Sequence, residues 1–185
     1  MKTSISNDFA TLFSYQWYQG FPLDGWNRDH GSVSDWTTHS AITFRNTADL
    51  FGYFVHFESG GKSDAVLRNS KKEPVAFAEW EWQDPVRNEI NEPSKLSAAY
   101  LEHKPEFCFL LTYVDEEKLP SAVDKIAAQW PHPNDLILCL VTYSGKGFRT
   151  FKELVFFRIT LNSSDEIRRQ PALPWLIKNS RWLSE

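Results

Sequence analysis

Cysteine is scarce in this chain: 2 of 185 residues, Cys108 and Cys139. Both lie inside apolar runs, Phe-Cys-Phe-Leu-Leu and Leu-Ile-Leu-Cys-Leu-Val, which is where buried free thiols sit. Two cysteines make no disulfide framework, and a reducing, cytoplasmic setting is expected. Neither has a basic neighbour in sequence, so neither is expected to act as a nucleophile. Long hydrophobic runs are missing as well. No stretch nears the ~18 consecutive apolar residues of a membrane span, so no membrane partner is expected. The opening Met-Lys-Thr-Ser-Ile-Ser-Asn-Asp has no apolar core of the kind a secretory signal carries. There is no basic excess: 20 Lys and Arg stand against 24 Asp and Glu, for a net charge of -4. This argues against a dedicated nucleic-acid binder, while leaving two local basic clusters, Arg68/Lys71/Lys72 and Lys146/Arg149/Lys152. The five histidines show no metal-ligand spacing, and no Walker, dinucleotide or Gly-x-Ser-x-Gly fingerprint is present.

Aromatic bulk is abundant, with 8 Trp and 14 Phe, and hydrophobic residues reach 42%. Together with the length, this supports one domain over residues 1–185 with a sizeable core. Residues 15–31 alternate aromatics with turn formers, and residues 1–34 are read as an irregular segment anchored by Trp17, Phe21 and Trp26. Ser34 or Asp35 is positioned to cap a helix running to about Leu50, with Trp36, Ala41, Phe44, Ala48 and Phe51 as its stripe. Residues 53–58, 63–69 and 74–82 then read as three short strands joined by tight polar turns, an antiparallel meander. Pro93 and Ser94 stand where a helix of about ten residues would start. Residues 107–114 and 136–143 are uniformly apolar strands separated by a helix over 119–130, and a further strand covers 151–161. Residues 163–185 read as a polar tail that docks through Trp175, Leu176 and Trp182. The expected fold is α/β (α+β) with a mixed sheet: a helix, a three-stranded meander, then strand–helix–strand crossovers, with helices flanking the sheet.

The segment Val75-Ala76-Phe77-Ala78-Glu79-Trp80-Glu81-Trp82 carries the chemistry. In a strand, Val75, Phe77, Glu79 and Glu81 share one face and Ala76, Ala78, Trp80 and Trp82 the other. Both faces begin apolar, as in a strand buried on both sides, and two carboxylates then stand side by side at its carboxyl end. Adjacent carboxylates on one face repel unless something positive lies between them, and a divalent cation such as Mg²⁺ or Mn²⁺ suits their oxygens. The alternative is a strand end that simply emerges into water. Pairing across the turn at residues 70–73 brings Asp64, near the start of the preceding strand, beside Glu79 and Glu81. Glu58, at the end of the first strand of the meander, is a further acid within the same region.

Asp64, the Glu79-Trp80-Glu81 triplet and the order of elements over residues 35–115 resemble the restriction-endonuclease-like PD-(D/E)xK nuclease superfamily. There an acid stands in the second strand of the meander and (D/E)-x-K in the third. Glu81 stands where that pattern has its Lys, an E-x-E variant, and Ser63 precedes Asp64 in place of proline. The resemblance implies Mg²⁺ held by Asp64 and Glu79, with Glu81 as base or second ligand, Glu58 as a possible extra acid, and hydrolysis of a phosphodiester of DNA or RNA. In such proteins a residue of the following helix often points back at the site, and Lys95 is placed to stand in for the replaced Lys.

Two rivals come from other classes. One is a non-catalytic interaction or nucleic-acid-binding protein on a nuclease-like fold. The other is a carbohydrate-binding or sugar-processing domain, prompted by the aromatics of residues 15–36.

Overall fold

A computed structural model describes residues 4–22, 32–59, 63–87, 90–145 and 149–179. In chain order the elements are α1 (Ile5–Gln16), α2 (Val33–Leu50), β1 (Phe54–Ser59), β2 (Ser63–Arg68), β3 (Pro74–Glu81), β4 (Val86–Arg87), β5 (Ile90–Asn91), α3 (Glu92–His103), β6 (Phe107–Asp115), α4 (Leu119–Ala127), β7 (Asp135–Ser144), β8 (Thr150–Thr160) and β9 (Ser163–Pro171). Seven strands form one sheet in the order β1-β2-β3-β6-β7-β8-β9, and β4 and β5 make a separate small hairpin. The β3–β6 and β6–β7 pairs are parallel and the others antiparallel, so the sheet is mixed, with helices on both faces. Among the described residues no helix is long and apolar enough to cross a membrane.

The three central strands follow from their composition. A parallel strand covered on both faces must be apolar on both, and β6 (Phe-Cys-Phe-Leu-Leu-Thr-Tyr-Val-Asp) is buried at every position but its last. One layer of core lies between the sheet and α1/α2, built on Phe9, Phe13, Trp17, Trp36 and Phe44. The other lies under α3 and α4, built on Leu96, Tyr100, Val123, Ile126 and Trp130. Both crossover helices therefore cover one face, and the opposite face is closed by the amino-terminal helices.

Several expectations are corrected. Residues 1–34 are not irregular throughout: they begin with α1, whose Phe9 and Phe13, followed by Trp17, recur every four residues and are buried. Trp17, Phe21 and Trp36 pack around buried His39 in that layer and form no exposed platform for sugars, while Trp26 lies outside the described residues. The cap of α2 is Ser32, which accepts from the Asp35 amide while the Asp35 side chain accepts from the Ser32 amide. The tail contains a strand. β9 (Ser-Ser-Asp-Glu-Ile-Arg-Arg-Gln-Pro) lacks apolar alternation because it is an edge strand, held to β8 by backbone pairing and by ion pairs such as Arg158–Asp165. Beyond it Pro174–Leu176 forms a short helical turn in which Trp175 packs against the amino-terminal layer while Leu176 is exposed and does not dock, and Trp182 lies outside the described residues.

One irregularity sets the aim of β3. Leu67 pairs with Ala76 but Arg68 with Pro74, so Val75 is an extra residue on the β3 side. This bulge moves Val75 into the α1/α2 layer with Ala76 and Ala78, off the face it was expected to share with Phe77.

Candidate active site

The β2–β3 register places Ala65 opposite Ala78 and Val66 opposite Phe77. One step further, Asp64 stands opposite Glu79, the juxtaposition expected from the spacing. Asp64 Oδ2 accepts the Trp80 backbone N–H at 2.8 Å. The carboxylate thus takes up an amide at the end of the ladder, which fixes its direction.

Glu79 is buried, its side chain 2% exposed. Its Oε2 accepts from Lys95 Nζ at 2.8 Å, and its Oε1 is buried with no donor. The Asp64 carboxyl lies within hydrogen-bonding reach of Glu79, so one acceptor faces another. Only a shared proton or a cation satisfies that arrangement. Burial pushes Glu79 far above the ordinary carboxylate range; Lys95 opposes the shift and the charge of Asp64 adds to it. Asp64 is likewise raised, chiefly by burial, against the Trp80 amide and the Lys95 charge. The two carboxyls titrate as a pair that retains one proton late. With that proton the cluster of two carboxyls and one ammonium is neutral, and without it a net negative charge is buried.

Lys95 reaches the pair because α3 begins beside it. Asn91 accepts from the Ser94 amide and Pro93 occupies the first turn, which starts the helix at Glu92 and sets Lys95 over the end of β3. Its side chain is 35% exposed, and Glu92 Oε2 lies 3.5 Å from its Nζ. Burial alone would lower its pKa, but the bond to Glu79 and the charges of Glu79, Glu92 and Asp64 outweigh that and hold it above its usual value. Lys95 is an ammonium with one side on buried carboxyls and the other toward solvent.

Glu81 and Glu58 are placed differently. Glu81 pairs with Arg87 Nη2 at 3.1 Å and accepts from the Gln83 amide at 2.9 Å. It is near enough for its charge to raise Asp64, but its own oxygens are committed to the β4–β5 hairpin side. Glu58 is exposed, in a left-handed conformation (φ 50°), and borders with Asp64, Arg45 and Trp80 a hollow of about 310 Å³ on the α2 side. Arg87 and Glu92 complete the electrostatics and were not singled out from the sequence. Their residue types gave no signal, since each acts through a short polar hairpin or a helix start. Trp80 and Trp82 lie on the other face as expected, packed on Phe44 and Phe57 and on Tyr113 respectively. Cys108 and Cys139 are free and buried, and burial pushes both thiols up, so neither is an activated thiolate.

Among the described residues no group of three or more His, Cys, Asp or Glu converges as a metal cage. The donor set present is smaller, Asp64 and Glu79. It fits a hard cation such as Mg²⁺, which keeps several waters and is commonly bound by one or two carboxylates together with substrate phosphate. The buried, unpartnered Glu79 Oε1 supports the fit.

No protein family matches the sequence, and no curated protein matches it. Among solved structures the chain is similar to the YaeQ protein from Xanthomonas axonopodis pv. citri at 9% identity and a TM-score of 0.26, over 63% of this chain and 69% of that one. A likeness so remote carries no argument about this chain.

Proposed function

We propose that this chain is a Mg²⁺-dependent nuclease of the restriction-endonuclease-like type, hydrolysing phosphodiester bonds of DNA or RNA at Asp64, Glu79 and Lys95. The observation that carries the reading is buried Glu79, with one oxygen on Lys95, the other unpartnered, and a second carboxyl facing it at the carboxyl end of a parallel-paired strand. Ligands of open sheets with parallel strands gather at that end. Asp64 and Glu79 would hold Mg²⁺ or Mn²⁺, which when bound supplies Lewis-acid stabilisation of the charge that builds on a scissile phosphate. Lys95 has donors to spare beyond the one given to Glu79, and at the rim these bind and orient a phosphate oxygen. Glu81, whose oxygens are turned to Arg87 and the Gln83 amide, would release one of these contacts to serve as the proton acceptor. A cytoplasmic location goes with the two free cysteines of this reading.

A second reading is favoured by the Lys95–Glu79 pair itself. A complete ion pair with a shared proton satisfies the cluster without a metal, as in a non-catalytic interaction or nucleic-acid-binding protein on the same fold. Calorimetric titration of Mn²⁺ separates the two. The nuclease reading expects saturable binding that is lost in Glu79→Ala and that releases a proton, seen as a heat that changes with the buffer's ionisation enthalpy. Failure of the wild type to bind Mn²⁺, both alone and with a short oligonucleotide present, favours the second reading and overturns the first.

A further inference from the structure

A larger cleft lies further along the same edge of the sheet. It has a volume of about 580 Å³ and sits where β3, β6 and β7 end, between the turn after β3 and the start of α4. This is the carboxyl end of the three strands that run parallel, where folds of this kind receive ligands. Its lining joins rings to cations. Arg149 is held with its guanidinium carbon 4.9 Å from the Trp82 ring centroid and 4.6 Å from that of Tyr143, and it donates to the Trp82 carbonyl at 2.8 Å. No carboxylate pairs with it among the described residues. Lys118, at the amino end of α4, is exposed and also without an ion-pair partner among the described residues. Lys125 is already neutralised by Asp84 at 2.7 Å, and the Asp115 carboxylate, which accepts from the Glu117 amide, also borders the cleft, so Arg149 and Lys118 leave its lining with one net positive charge.

A half-buried guanidinium fixed by two rings and a carbonyl is oriented before any ligand arrives. Its unspent N–H groups recognise an anion, and the parts of Trp82 and Tyr143 that border the cleft beside it offer a flat apolar contact for a ring. A flat ring carrying a phosphate satisfies both at once. From this we infer that the cleft at the ends of β3, β6 and β7 binds a nucleotide, its base against Trp82, Tyr143 and Arg149 and its phosphate between Arg149 and Lys118. The inference does not require that the Asp64–Glu79–Lys95 centre cleave anything. The nucleotide arrives either free or as part of a single strand, because both present the same phosphate and an unstacked base.

Tryptophan fluorescence titrations in EDTA test it with the full chain, so that neither metal nor cleavage enters. The probes are thymidine monophosphate, a five-residue thymidylate strand and thymidine. The monophosphate is expected to quench saturably, and thymidine to bind more than about tenfold more weakly, because it loses the charge-assisted contacts of both Arg149 and Lys118. Arg149→Ala and the surface variant Lys118→Ala each weaken the monophosphate by about tenfold or less, and both together by more than either. Lys71→Ala, in the turn at the opposite end of β3, leaves it unchanged. A strand that binds much more tightly than the monophosphate identifies nucleic acid as the source, and equal binding identifies the free nucleotide. The inference is overturned by any of three results: no binding of either phosphorylated probe, thymidine binding as well as its monophosphate, or Lys71→Ala weakening binding as much as Lys118→Ala.

Discussion

Replacing Glu79 by Gln is expected to flatten the pH dependence of stability and to make the protein more stable than wild type above pH 8. Glu79 rises from its ordinary 4.5 to about 8 in the folded protein, because burial and the facing Asp64 outweigh Lys95. A raised folded value means that the native state binds more protons than the unfolded chain across that window. The stabilisation is fully present below about pH 4.5 and is lost as pH rises through about 8. At about 1.4 kcal/mol for each tenfold change in proton affinity, the fall is on the order of 3–5 kcal/mol, a large part of a typical domain's stability. Glutamine keeps the acceptor, adds an amide donor toward Asp64 and removes the charge, leaving Asp64 and Lys95 as a neutral pair. Buried His39 contributes with the opposite sign: burial depresses it to about 4, so its part is lost as pH falls below its ordinary 6.5. Comparing wild type with Glu79→Gln cancels that part. Urea denaturation followed by tryptophan fluorescence at pH 5.5, 7 and 8.5 measures the difference. Equal slopes against pH in the two proteins would refute the claim that Glu79 holds a proton in the fold.

Lys95→Met keeps the stem and removes the ammonium, so Glu79 loses the cation that pairs with it. Its stability is expected to fall with pH more steeply than wild type, by about 1–3 kcal/mol at pH 8.5, a figure reduced because Lys95 is a third exposed, and the same urea series reads it. Phe13→Ala in α1 removes a fully buried ring that lies 4.9 Å from Phe109, and denaturation should show a loss of about 3–5 kcal/mol; a loss below about 1 kcal/mol would contradict the placement of α1 in the core. Ser32→Ala removes half of the α2 capping box and is expected to lower stability by about 1 kcal/mol, whereas Ser34→Ala, one residue inside the helix, should leave it nearly unchanged.

The sheet was legible because its strands obey simple rules. The doubly apolar runs became β6 and β7, and the short segments joined by tight polar turns became the β1–β2–β3 meander. What the sequence hid had physical reasons. α1 carries Ser, Asn and Thr between its rings, and these residues favour turns as readily as a helix interior, so Phe9, Phe13 and Trp17 did not stand out as a stripe. β9 is an edge strand whose pairing rests on backbone and charge, and such strands carry little hydrophobic pattern. The bulge at Val75 is a property of two strands together and cannot be read from either alone.

The candidate site shows the same division. The opposition of Asp64 and Glu79 follows from counting along a hairpin, and Lys95 was placed only through a resemblance of element order. Their meeting is a consequence of α3 starting at Glu92, which the Asn91 cap and Pro93 decide. Arg87 was missed because it reaches Glu81 from a two-residue strand too short to carry any pattern. A carboxyl on a strand buried on both faces contradicts every local rule for that strand. Such a contradiction persists only where something compensates for it, and Lys95 compensates for one of Glu79's two oxygens. The other is left for a proton or a cation. The folding equilibrium and the binding of Mn²⁺ therefore report on the same atom. A proton that stabilises the fold at low pH must leave before an ion can take its place, so Mn²⁺ affinity should rise with pH through the same window in which metal-free stability falls.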